Sequence, residues 1–104
     1  MRVVTQDYYL ARSEREAARG ILVLHAWWGL TPFLKGLCDR LAENGFAALA
    51  PDLYHGKTAS TVKEAKKLRS KLKRDTVARQ IVDAADLLRR LCGGDERQIG
   101  VVGF

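Results

Sequence analysis

Two short stretches, His25-Ala26-Trp27-Trp28-Gly29 and Asp52-Leu53-Tyr54-His55-Gly56, hold most of the residue types in this sequence that could do chemistry. They supply two imidazoles, a carboxylate, two indoles and a phenol. Imidazoles with a carboxylate can ligate zinc or iron, or pass protons between heteroatoms. His25 lies on a different stretch from Asp52 and His55, without ligand-type spacing, so no metal is expected. Asp52 is expected to accept backbone amides at a strand end, and His55 to be a loop residue facing a cleft. Trp27 and Trp28 are adjacent, so on extended backbone they would point to opposite sides, as a pocket wall or as core cover. A loop amide beside them could donate to an oxyanion whichever way the indoles turn, because that work uses the main chain. The stretch offers one glycine where a dinucleotide-binding turn needs three, and no G-K-[ST] follows, so nucleotide cofactors are not expected.

The elements that position these residues follow from the pattern. Residues 8–12 read as a short strand, and the charged run 13–20 as a turn. ILVLHAW from Ile21 is a continuous apolar run, as in a central strand covered on both faces. Thr31-Pro32 starts a helix, with Thr31 offered as its cap and Leu34, Leu37, Cys38 and Leu41 on one face. Asn44-Gly45 ends it, and 46–50 form the next buried strand, stopped by Pro51. Residues 61–73 form a marginal basic helix. Asp75 is expected to cap a further helix whose stripe is Val77, Ile81, Ala84 or Ala85, Leu88 and Leu91, ended by Gly93-Gly94. Ile99 begins another buried strand. The order β, β, α, β, α, α, β predicts an α/β fold, three-layer αβα, with a mostly parallel sheet. In such a sheet ligands bind beyond the carboxyl ends of the strands, where His25 to Gly29, Asp52 to Gly56 and Gly103-Phe104 all fall.

The last strand has no helix after it to cover it. Residues 1–104 are therefore expected to be the amino-terminal part of a single domain, with a place at the sheet edge or pairing along that strand in a homodimer as the other arrangements. The chain has 104 residues and a formal charge of +6, with 47% hydrophobic and 29% charged residues, a globular composition. Basicity is local: residues 57–92 hold eleven Lys or Arg against four Asp or Glu. The helix at 63–74 could follow nucleic-acid phosphates. It lacks interleaved aromatics and any reading motif, so nucleic acid is not the expected partner. No run nears the roughly 20 apolar residues of a membrane span, and the amino-terminal residues lack a signal-peptide core, so no membrane is expected and the cytoplasm is the default. Cys38 and Cys92 sit at helical apolar positions and read as buried thiols in a reducing compartment.

Residues 21–56, ILVLHAWWGLTPFLKGLCDRLAENGFAALAPDLYHG, resemble the amino-terminal half of the dienelactone hydrolase family of α/β-hydrolases, most specifically in H-x-W-W-G and APDLYHG. IGVVGF resembles the strand entering the family's nucleophile elbow, G-x-[SC]-x-G, with Gly103 and Phe104 at its first two positions. The resemblance implies a Cys or Ser nucleophile directly after Phe104, with the Asp and His of the triad further on. It also implies that the Trp27 amide is one oxyanion-hole donor, that His25 orients that loop, and that Trp28, Tyr54 and His55 line the cleft. The implied substrate is a small-molecule ester or lactone, cleaved without a cofactor. The dienelactone-cleaving members carry a glutamate before the oxyanion-hole residue; here that position is Ala26. The implied reaction is therefore hydrolysis of esters or lactones in general. Without a triad, residues 1–104 alone are expected to be inactive. The contrasting reading is a non-catalytic interaction protein using helix 63–74 and the exposed last strand.

Overall fold

A computed structural model describes residues 2–13, 19–93 and 99–104. The turn expected over 13–20 and the stop expected at Gly94 lie wholly or partly outside the described residues. The elements are β1 (Arg2–Val4), β2 (Tyr8–Ala11), β3 (Arg19–Leu24), α1 (Pro32–Glu43), β4 (Phe46–Pro51), α2 (Val62–Ser70), α3 (Arg74–Leu91) and β5 (Ile99–Gly103). They form a five-stranded sheet in the order β1-β2-β4-β3-β5 with three helices.

The sheet is mixed, which corrects the expectation of a mostly parallel one. β3 runs parallel to β4 and to β5, whereas β2 is antiparallel to both β1 and β4. Connection length explains the difference. β1 and β2 are joined by a tight turn in which Thr5 Oγ1 accepts the amides of Asp7 and Tyr8, and such a turn can only return the chain antiparallel. β3 reaches β4 through a whole helix, which allows the parallel return.

Helices cover both faces, because successive side chains of a strand point to opposite sides. Tyr9, Ala11, Val23, Ala48 and Ala50 pack with Leu34, Cys38 and Ala42 of α1. Their neighbours Leu10, Leu22, Ala47 and Leu49 pack with Ala84 and Leu88 of α3. This is why β3 and β4 read as unbroken apolar runs. The alanines of β4 let both helices approach closely, and Leu49 is fully buried on the α3 side.

The helix ends differ in detail from expectation. Thr31 is the extended N-cap of α1 with Pro32 in its first turn, yet its hydroxyl makes no capping bond. Lys73, not Asp75, is the N-cap of α3, and Asp75 lies within the first turn. A carboxylate there still favours the helix through its dipole. Thr61 does cap α2, accepting the Glu64 amide at 3.1 Å, while Glu64 reaches back to the Ser60 amide. Gly45 closes α1 in the left-handed region at φ 91°. β5 is an edge strand with Val101, Val102 and Phe104 exposed, so its expected burial is limited to partial cover of Ile99 and Gly100. Among the described residues no helix is long and apolar enough to cross a membrane.

Candidate functional site

Because β3 runs parallel to both β4 and β5, the carboxyl ends of all three strands open on one edge of the sheet. Leu24 pairs with Gly103, and the Phe104 amide donates to the Leu24 carbonyl at 3.1 Å. The chain at Gly103-Phe104 is thereby held against the residue preceding His25.

His25 is nearly buried, and both its nitrogens are engaged by main chain. Nε2 accepts the Leu53 amide at 3.0 Å, and Nδ1 lies 2.7 Å from the Ala26 carbonyl. An amide can only donate, so Nε2 carries the lone pair and Nδ1 the proton. The imidazole thus ties the end of β3 to the loop after β4, and its ring packs tilted against Tyr54 at 4.9 Å. Burial raises the pKa of the Tyr54 phenol, with the Arg69 charge acting in the opposite direction.

Residues 26–29 form a turn in which the Gly29 amide donates to the Ala26 carbonyl at 3.0 Å. Trp27 and Trp28 are therefore not on opposite sides, as extended backbone would require. Their rings meet edge-on at 5.6 Å, both half-buried. The Trp28 carbonyl accepts the Ala59 amide at 2.9 Å, fixing the turn to the following loop. The Trp27 amide, like that of Trp28, makes no hydrogen bond among the described residues. Gly29 adopts φ 90°, and a Cβ there would lie 2.7 Å from the Lys57 carbonyl oxygen. The glycine of H-x-W-W-G is thus required twice, by conformation and by space.

Asp52 is buried and its carboxylate holds the loop after β4. Oδ1 accepts the Tyr54 amide at 3.1 Å, and Oδ2 accepts the Gly56 amide at 2.9 Å. His55 lies apart from His25, exposed and at φ 52°. Its Nδ1 is 3.7 Å from an Asp7 carboxylate oxygen, and its Nε2 is 3.4 Å from the Gln80 amide nitrogen. Tyr54 and His55 face a cavity shared with α2 and α3, and neither Trp27 nor Trp28 lines it.

Neither thiol suits nucleophilic chemistry. Cys38 is fully buried and pushed up to about 11, chiefly by that burial and further by the charge of Asp39. Burial also raises Cys92, against the pull of Arg12. Among the described residues no group of three His, Cys, Asp or Glu could hold a metal ion. The bonds from Leu53 to His25 and from Ala59 to Trp28 have no sequence signal, since backbone amides carry no residue identity. The Asp52 loop had one, a carboxylate placed two and four residues before the amides it accepts.

The model of the dienelactone hydrolase family matches residues 7–104. The chain is 37% identical over 91 residues to protein usf of Aquifex pyrophilus, covering 82% of this chain and 39% of that protein. It is 34% identical over 94 residues to an Aquifex aeolicus protein provisionally named a carboxymethylenebutenolidase, covering 85% of this chain and 41% of that one. A crystal structure from Klebsiella pneumoniae, provisionally named a dienelactone hydrolase, matches with a TM-score of 0.76 at 27% identity, covering 93% of this chain and 43% of that one. The chain spans about two fifths of the length of these relatives. Covered on both sheet faces and matched from β2 to β5, the chain belongs to the dienelactone hydrolase family.

Proposed function

We propose that the whole protein hydrolyses small-molecule carboxylic esters or lactones on an α/β-hydrolase plan, with residues 1–104 as its amino-terminal part. One observation carries this reading. The Trp27 amide, unengaged among the described residues, sits on the turn directly after β3, and β5 brings Gly103-Phe104 alongside the end of the same strand. A Cys or Ser following Phe104 would then project beside a main-chain donor that has no partner among the described residues.

The chemistry follows from that juxtaposition. The nucleophile attacks the carbonyl carbon, and a histidine further along the chain takes its proton and returns it to the leaving oxygen. An aspartate orients that imidazole. The Trp27 amide donates to the tetrahedral oxyanion together with the amide after the nucleophile, and water releases the acyl group. His25 acts as a positioning residue, since its ring holds the Ala26 carbonyl at the start of the turn. With Ala26 where dienelactone-cleaving relatives carry glutamate, the substrate class is broader than dienelactones.

The test uses the whole protein with p-nitrophenyl acetate and with a five-membered lactone. Replacing the Cys or Ser that follows Phe104 by Ala should lower kcat/KM for both by about a thousandfold or more. Wild-type hydrolysis no faster than buffer, or unchanged rates in the variant, would sink the proposal.

A further inference from the structure

A cavity of about 260 Å³ opens between the loop after β4, the inner side of α2 and the start of α3. Its wall is apolar, made by Leu53, Tyr54, Leu68, Leu72 and Val77. Lys57, Lys71 and Lys73, all exposed, also line it. No carboxylate lines it. Of the acids beside it in the chain, Asp52 is turned to the Tyr54 and Gly56 amides, and Asp75 lies in the first turn of α3; Glu64 is turned to the Ser60 amide, and Asp7 lies beside His55. His55, held at φ 52° in a conformation that costs a non-glycine residue energy, shares the wall with Gln80.

We propose that this cavity binds a small organic monoanion, a carboxylate carried on an aromatic body of about ten carbons. Size and polarity both favour that class. The volume lies just below the roughly 300–1,000 Å³ typical of small-molecule sites, enough for a bicyclic ring and too little for a nucleotide. The apolar lining side chains would recognise the body, and the three lysines of the lining, with no carboxylate among them, would recognise the head. None of residues 25–29 lines the cavity, so the inference stands independently of the hydrolase reading. Tyr54 connects the two regions, with one side in the cavity wall and its ring against His25.

The probe is 2-naphthoate, titrated into the whole protein and followed by methyl NMR, with neutral 2-naphthamide as control. Naphthoate should shift the Leu53, Leu68, Leu72 and Val77 methyls saturably, with a Kd on the order of 0.1–1 mM. Naphthamide should bind at least about tenfold more weakly. The K71Q/K73Q double variant changes only exposed side chains and should retain the fold. It should weaken naphthoate about tenfold and leave naphthamide unchanged. Equal binding of acid and amide, an unchanged naphthoate Kd in the double variant, or shifts confined to other methyls would overturn the proposal. Loss of esterase activity in the nucleophile variant with naphthoate binding retained separates the fate of this site from that of the hydrolase reading.

Discussion

Gly29 determines whether the Trp27-Trp28 turn can exist. At φ 90° an L side chain is strained, and the nearest atom a Cβ would meet is a backbone oxygen that cannot swing aside. Gly29→Ala should therefore destabilise the protein by about 2–4 kcal/mol, from the left-handed conformation and the displaced 57–58 segment together. Urea unfolding would measure the loss. Tryptophan emission should move to longer wavelength as the edge-on indole pair opens, and an unchanged midpoint and spectrum would refute the role given to Gly29. At this scale the sequence was partly legible. The amide-accepting role of Asp52 follows from its place at a strand end. The mutual packing of Trp27 and Trp28 was not legible, because two adjacent aromatics look the same on extended backbone and on a turn. The engagement of both His25 nitrogens was hidden too, since one partner is an amide 28 residues away.

The contact between β3 and α3 depends on a missing side chain at Gly20. A Cβ there would lie 2.7 Å from Leu88 Cγ and 3.1 Å from Cys92 Sγ, both on fully or nearly buried residues. Gly20→Ala should cost about 1–3 kcal/mol by overpacking. Pairing it with Leu88→Ala should recover part of that cost, because the second change empties the space the first one fills. A double-mutant cycle on denaturant midpoints would measure the coupling, and strict additivity would show that the two residues do not interact. Elements with a long period or a continuous apolar run were legible: β3, α1, β4 and α3 stand close to where their patterns put them. β1 was not, since three residues are too few to display alternation. Thr31 stands at the cap of α1 without its hydroxyl bond, whereas Asp75 misled by its position, in the first turn of α3 and not at its cap. A residue type that favours a helix start is favoured at the cap and in the first turn alike, and the spacing alone does not separate them.

Across the whole molecule, Tyr9 joins three elements through one carboxylate. Its hydroxyl donates to Asp39 of α1 at 2.6 Å, and Arg2 of β1 lies 3.3 Å from the same oxygen. Burial, aided by that hydrogen bond, pushes the Tyr9 phenol up to about 12. The folded state thus holds this proton more tightly than the unfolded chain, so the associated stability is present below about pH 10 and is lost as the pH rises through about 12. Cys38 acts in the same sense, so the comparison must be by difference. Tyr9→Phe should melt lower than wild type at pH 8 yet fall less steeply between pH 10 and 12. Parallel curves would show that Tyr9 does not titrate with unfolding.

The mixed sheet was unreadable at this scale, because strand direction is set by which strands become neighbours, and β2 joins β4 across an intervening strand and helix. The two buried thiols carry a practical consequence for the whole protein. At neutral pH neither Cys38 nor Cys92 offers an accessible thiolate, so both stay silent toward alkylating reagents. A maleimide should therefore leave this chain unlabelled while it is folded and reach both sulfurs only on unfolding, so that labelling counts unfolded molecules.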